Sequence, residues 1–295
     1  MEKYINNITQ GDCISVLKEM DNQSVDLMIT SPPYNVGINY DTHVDTLSMD
    51  DYWDFTRQWL KGVYDVLKDD GRVAINIPYE TNVRERGGRI FFASEFYQIM
   101  KEIGFGFFGL VDLDEDSPHR SKTTAWGSWM SPSAPYIYNP KECVILGYKK
   151  EYKKKIKGEP QWSPSEIKMV EKTNGEGMRK RIEYNDSDKK EFMSLVFGQW
   201  NYFADTNQLT KATFSMDIPV KAIKILSYQN DVVLDPFSGS GTTAVACLVH
   251  NRRYVGIELS DEYTKKSKAR INKTKAEMAQ VEMVYEKWYS WYVSI

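Results

Sequence analysis

The stretch from Asp231 to Glu258 constrains this chain more than any other. Asp231-Val232-Val233-Leu234-Asp235 is a short apolar run that reads as a buried strand. Pro236-Phe237-Ser238-Gly239-Ser240-Gly241-Thr242-Thr243 turns sharply into a helix expected over 242–250, and Arg253-Tyr254-Val255-Gly256-Ile257-Glu258 is the next strand. Strand, helix and strand in such close succession make a right-handed βαβ unit, and hence a parallel sheet flanked by helices. A helix from Ile218-Pro219 to about Ser227 precedes the unit, and a long helix starts near Ser260-Asp261.

The N-terminal half repeats the alternation. Residues 24–30 read as a buried strand, which Ser31-Pro32-Pro33-Tyr34 must end, because two prolines cannot continue a central ladder. A helix is expected over 49–68, a strand over 72–78, a helix over 90–103 ending at Gly104, and strands around 105–112 and 143–148. The 295 residues suffice for one large domain carrying an insertion. With 41% hydrophobic and 27% charged residues, disordered and fibrous classes are excluded. No apolar run approaches the ~20 residues of a membrane span, and Met1–Asn7 lacks the apolar core of a secretory signal. Three scattered cysteines (Cys13, Cys143, Cys247) and three histidines exclude a disulfide framework and a zinc ribbon, and point to the cytosol.

Gly239 and Gly241 permit a tight strand-to-helix turn whose backbone N–H groups can approach a ligand closely. Glu258, 17 residues after Gly241, stands where a carboxylate accepts hydrogen bonds from ribose hydroxyls. The glycines alone also fit a loose dinucleotide pattern, or a turn with no ligand. Asp235 shifts the balance, because an acid ahead of the glycines repels a pyrophosphate and suits a cationic α-amino group. A ligand with a ribose and an amino acid moiety is S-adenosyl-L-methionine, which fits better than NAD.

Thr30-Ser31-Pro32-Pro33-Tyr34-Asn35 follows a strand and is stiffened by the fixed φ of its prolines. By itself such a sequence reads as a rigid surface turn. Ser31 nevertheless adds a hydroxyl acceptor, the carbonyl between the prolines a second, and Tyr34 an aromatic face. That set suits the exocyclic amino group of a base turned out of a helix.

Together the two motifs resemble the β class of DNA amino-methyltransferases, in which the catalytic motif precedes the cofactor motif. Gly11-Asp12-Cys13 followed by Leu17, Arg72–Pro78, Ala125–Ser133, Asn139–Glu142 and Asp235–Thr243 are all similar to elements of that class. Lys211-Ala212-Thr213-Phe214 departs from the His-Pro-type element usual before the cofactor strand. The resemblance implies a Rossmann-like methyltransferase fold with a mostly parallel, seven-stranded sheet and helices on both faces. It implies Ser31, Pro32, Pro33 and Tyr34 as catalytic residues, with Tyr34 stacking on the base. Asp12, Ser31, Asp235, Phe237, Ser238, Gly239, Gly241, Thr242, Thr243 and Glu258 are the expected cofactor-binding residues, Asp12 at the adenine. Within this class Ser-Pro-Pro-Tyr is associated mainly with cytosine N4, and Asp-Pro-Pro-Tyr mainly with adenine N6, which stays the alternative. Cytosine C5 chemistry needs a nucleophilic cysteine, typically after proline, and no cysteine here follows one.

The net charge of −3 conceals a basic segment: residues 141–190 hold 14 Lys and Arg against 9 Asp and Glu. Residues 150–200 are the expected target-recognition insertion between catalytic parts 1–149 and 201–295. Lys153, Lys154, Lys155, Arg179, Lys180, Arg181 and, from a separate loop, Arg86 are its DNA-contact candidates, each also readable as a solvated cation. Duplex DNA is the expected partner, with a homodimer and a cognate restriction endonuclease as further candidates; the aromatic tail (Trp288, Tyr289, Trp291, Tyr292) is expected to pack on the body or in a subunit interface. A non-catalytic cofactor-dependent nucleic-acid-binding module is the reading from a different class, and a nicotinamide dehydrogenase the most distant one.

Overall fold

Val232 and Leu234 point into one apolar layer and Val233 into another, since successive strand residues face opposite ways. Met28 and Leu27, and Val255 and Tyr254, divide in the same manner. A sheet apolar on both faces must be covered on both. The computed structural model describes every residue except 38–45, 84–87, 116–127, 129, 136–138, 140, 173–176, 204–213 and 294–295. Its elements are β1 (Asn7–Gln10), α1 (Cys13–Glu19), β2 (Val25–Thr30), α2 (Met49–Val66), β3 (Leu67–Pro78), β4 (Thr81–Val83), β5 (Gly88–Ile90), α3 (Phe92–Ile103), β6 (Gly106–Glu115), β7 (Glu142–Tyr148), β8 (Glu166–Glu171), β9 (Met178–Glu183), α4 (Asp186–Val196), β10 (Gln199–Tyr202), α5 (Asp217–Leu226), β11 (Val232–Asp235), α6 (Thr242–Val249), β12 (Arg253–Glu258) and α7 (Asp261–Val293). Side chains of α1, α2 and α3 build the core on one face; those of α5, α6 and α7 build it on the other.

The main sheet runs β1-β12-β11-β2-β3-β7-β6-β10. Its β3–β7 and β7–β6 pairs are antiparallel and the other pairs parallel. The expected Rossmann-like, mostly parallel sheet is therefore present, with eight strands among the described residues rather than seven. The eighth, β10, lies at the end of the expected insertion. It pairs in parallel with β6, Trp200 beside Leu113, and the Trp200 ring is buried in the core. The expected boundary at residue 200 thus cuts through a strand of the main sheet.

The chain before β10 is tied to the N-terminal edge of the sheet. Lys150 N–H donates to the Asp69 carbonyl, Gln229 N–H to that of Glu159, and Arg252 to Gln161 Oε1 at 2.8 Å. Beyond this anchor β8 and β9 form a separate two-stranded ribbon. The aromatic tail continues α7, but the side chains of Trp288, Tyr289, Trp291 and Tyr292 lie outside the described ones. No described helix is long and apolar enough to cross a membrane.

The same edge holds His250. Burial, helped by Lys224 and Arg252, pushes its imidazole down to about 4, against a smaller opposing effect of Glu191. A lowered histidine pKa means that the unfolded chain binds more protons between pH 6.5 and 4. Stability present above pH 6.5 is therefore lost as pH falls through that window. After allowance for partial solvent exposure, His250 contributes on the order of 1 kcal/mol to this loss. Urea unfolding of His250→Gln between pH 6.5 and 5 is expected to show a flatter decline than the parent.

Candidate active site

The strand order decides which loops meet. β11 and β2 are neighbours, with Val233 beside Leu27 and Leu234 beside Met28. From β11 the chain crosses to β12 on one side; from β2 it crosses to β3 on the other. The crevice above such a switch point is where open α/β sheets bind ligands. Four chain ends converge there: Ser31–Tyr34 after β2, the glycine turn after β11, Glu258 at the end of β12, and Gly11-Asp12 after β1.

Asp235 closes the floor of the crevice. It is only 4% exposed, and both carboxylate oxygens are taken by protein donors. Thr30 Oγ1 donates to Oδ1 at 2.8 Å, the Phe237 N–H to Oδ1 at 3.1 Å, and Thr243 Oγ1 to Oδ2 at 2.6 Å. Burial raises the Asp235 pKa, and the bonds from Thr243, Thr30 and Phe237 oppose that rise. The sequence suggests a carboxylate facing a ligand's amino group; the structure instead makes it a tie between the serine turn and the glycine turn. Thr243, expected at the cofactor, is likewise turned inward. So is Thr242, whose hydroxyl accepts from Arg270 Nη1 at 2.9 Å. A polar residue ending an otherwise apolar strand is the signal by which Thr30 was open to notice; nothing local marks Arg270.

The glycine turn is held by Glu258. Its Oε2 accepts from Gly239 N–H and its Oε1 from Ser260 N–H, both at 2.8 Å. A carboxylate offers about four acceptor directions, so it can hold these two amides and still accept from vicinal hydroxyls. Gly241 has φ +76° and caps α6, and a Cβ there would stand 3.0 Å from Ser267 Cβ. The helix thereby starts abruptly and points its positive end into the crevice. Ser238 Oγ is buried with no hydrogen-bond partner among the described residues, and Gly256 beneath it leaves no room for a Cβ. Phe237 is half-buried, edge-on to Trp59 at 5.2 Å, and Asp12 is exposed, with Oδ1 capping α1 through Ser15. A carboxylate for a ribose, a helix start for a carboxylate, an aromatic wall and an orphaned hydroxyl fit S-adenosyl-L-methionine by their chemistry.

The serine turn is equally fixed. Tyr52 on α2 donates its hydroxyl to the Pro33 carbonyl at 2.7 Å. Ser31 Oγ and the Tyr34 hydroxyl lie 2.7 Å apart, and Tyr34 donates to the Asn76 carbonyl at 3.3 Å. Asn76 is itself buried and donates from Nδ2 to Glu142. The half-buried Tyr34 ring meets Phe92 edge-on at 6.3 Å. Tyr52 and Asn76 escaped sequence reasoning, since their roles arise from packing across α2 and β3. All three cysteines are buried, and burial pushes the Cys13 and Cys143 thiols up to about 12 and Cys247 up as well. No thiolate nucleophile is available among them.

The expected DNA contacts divide into exposed and paired side chains. Lys153, Lys155, Arg179, Lys180 and Arg181 are exposed, and Arg86 lies outside the described residues. The Lys154 side chain is 6% exposed and pairs with Asp231 at 2.8 Å and Asp26 at 3.8 Å, so it is a structural cation rather than a free phosphate contact. Lys154→Ala should lower stability by about 2 kcal/mol, because it strands the half-buried Asp231 and weakens the pairing of buried Asp26, which keeps Lys68. Lys153→Ala should stay within about 0.5 kcal/mol, and urea midpoints of the pair test the difference. A cleft of about 330 Å³ between Trp162, Phe192 and Tyr228 lies at the opposite edge and shares no residue with the crevice.

Comparison with known proteins agrees with this geometry. A DNA methylase family model of the N6/N4 class matches residues 25–269. The type II methyltransferase M.MjaVI of Methanocaldococcus jannaschii is 41% identical over 173 residues, 58% of this chain and 84% of that protein. M.HpaI of Haemophilus parainfluenzae is 27% identical over 268 residues, 89% of this chain and 73% of that one. A putative DNA modification methylase from Thermus thermophilus, solved with S-adenosyl-L-methionine, superimposes with a TM-score of 0.66 at 21% identity, covering 91% of this chain and 93% of that one. The cytosine-N4-specific PvuII DNA methyltransferase gives 0.63 at 17% identity, over 88% and 84%. These two likenesses establish the fold, while the family model spans both the serine turn and the glycine turn in their observed order. This chain belongs to the N6/N4 DNA methylase family.

Proposed function

We propose that this chain methylates the exocyclic N4 of a cytosine turned out of duplex DNA, at a specific site and as part of a restriction–modification system. The observation that carries the reading is the meeting of Ser31 and the glycine turn at one sheet edge, joined through Thr30 and Asp235. A hydroxyl rather than a carboxylate heads the turn, which favours cytosine; the N4-specific PvuII enzyme shares the fold.

S-adenosyl-L-methionine, the methyl donor, supplies an electrophilic methyl on a sulfonium. Glu258 would hold the ribose hydroxyls, the start of α6 would face the carboxylate, and Phe237 would line the wall. Ser31 Oγ and the Pro32 carbonyl accept hydrogen bonds from the target amino group. Those bonds would draw its nitrogen lone pair out of conjugation and aim it at the methyl, with the C–S electron pair left on sulfur as a neutral thioether. Tyr34 offers its ring to the base. The rate derives from positioning and fixed dipoles. The methylated nitrogen is acidic enough to shed its proton without a tuned base.

The segment 150–198 would act as an accessory DNA-contacting region. Its anchor at the far edge of the sheet suits phosphate contacts by Lys153, Lys155, Arg179, Lys180 and Arg181, better than base reading at the target. A homodimer and a cognate nuclease complete the proposed partners. The test is transfer of labelled methyl to mixed-sequence duplex DNA, with product nucleosides separated by mass. N4-methylcytosine supports the reading; N6-methyladenine keeps the enzyme and reassigns the base; cofactor binding without transfer to any DNA sinks it in favour of a binding module.

A further inference from the structure

A serine hydroxyl differs from a carboxylate in one respect that matters at this turn. It carries a proton, and an exocyclic amino group is itself a donor. A hydroxyl whose proton faces that group repels it; the oxygen accepts only if the proton is engaged elsewhere. The Tyr34 hydroxyl has one proton, and the Asn76 carbonyl, 3.3 Å away, can only accept it. Either hydroxyl can donate in the 2.7 Å contact between Ser31 and Tyr34, and only with serine as the donor are both contacts made at once. The chain of bonds runs Ser31 O–H to Tyr34 oxygen, then Tyr34 O–H to Asn76 carbonyl. Asn76 is an immobile end point, buried in β3 with its amide held by Glu142 and the Cys143 carbonyl.

From this we infer that Tyr34 is a positioning residue, whose phenol oxygen takes the Ser31 proton and so leaves Ser31 Oγ as an acceptor for the target amino group. The role is distinct from that of the ring and deepens the proposed methyl transfer, on which it rests. With aspartate in place of Ser31, the acceptor needs no orienting.

Tyr34→Phe keeps the ring and removes the phenol oxygen. Expected is a fall in kcat of about tenfold, the scale of one neutral hydrogen bond, with KM for DNA and cofactor affinity unchanged. In a Ser31→Asp background, Tyr34→Phe should change kcat by less than about twofold, because the carboxylate accepts without help. An undiminished kcat for Tyr34→Phe alone overturns the inference, as does the same tenfold loss in the Ser31→Asp background. If Ser31→Asp transfers no methyl, a fluorinated tyrosine at position 34 that ionises near neutral pH decides. Its phenolate can only accept, so activity that persists above its pKa supports the inference, whereas activity lost there counts against it. Absence of transfer by the unaltered chain is a separate result and counts against the proposed function alone.

Discussion

Ser31→Ala is expected to lower kcat by at least about 100-fold while cofactor affinity changes less than about threefold. The magnitude follows from losing one preorganised hydrogen-bonding group aimed at the reacting centre. Selectivity follows from geometry. Ser31 touches the Tyr34 hydroxyl, and the proposed cofactor walls rest on other contacts: Glu258 through Gly239 and Ser260, and Phe237 through Trp59. Fold stability should be nearly unchanged, because Tyr52 still holds the Pro33 carbonyl and Pro32 keeps the turn rigid. Single-turnover rates with saturating cofactor, set beside calorimetric cofactor binding, separate the two effects. An equal loss in both would mean that Ser31 shapes the cofactor pocket instead.

Asp235→Ala is expected to cost about 3 kcal/mol of stability and to weaken cofactor binding at least about tenfold. Alanine leaves the Thr30 and Thr243 hydroxyls and the Phe237 N–H without their common acceptor. It also releases the end of β2 from the glycine turn, so both halves of the crevice lose their register. Asp235→Asn should cost less than about 1 kcal/mol. The amide oxygen can still accept from Phe237, and both threonine hydroxyls can rotate. The sign of the pKa shift agrees. Burial raises the Asp235 pKa, so the carboxyl group's favourable contribution is complete at low pH and is lost as pH rises through the folded-state value. A neutral isostere avoids that loss. Urea midpoints with cofactor titrations on both variants test the argument, and equal damage from alanine and asparagine would contradict it.

Much of this protein is written locally. Apolar runs 24–30, 72–78 and 231–235 specify strands because each sits in a layer that excludes water, and their period needs no knowledge of the partners. The double proline and the paired glycines specify turns through fixed or left-handed φ, which is why both motifs occupy the expected places. Their order along the chain was enough to suggest the family.

The third dimension decided what each polar side chain faces. Asp235 and Glu258 are both acids at strand ends, yet β2 lies beside β11 and supplies Thr30 to the first, while the second borders the turn and the crevice. Lys153 and Lys154 are adjacent and chemically alike. Only the fold brings Asp231 and Asp26 to one of them, through contacts 77 and more than a hundred residues away along the chain. β10 reads as part of a basic insertion, because its pairing with β6 lies 87 residues back, beyond the reach of any local pattern. Sequence determined the strands, the two turns and the cofactor chemistry, since these depend on residue type and short-range geometry. Burial, hydrogen-bond direction and the edge that anchors residues 150–198 were set by the sheet order, since each depends on which distant residues the closed sheet brings within a few ångströms.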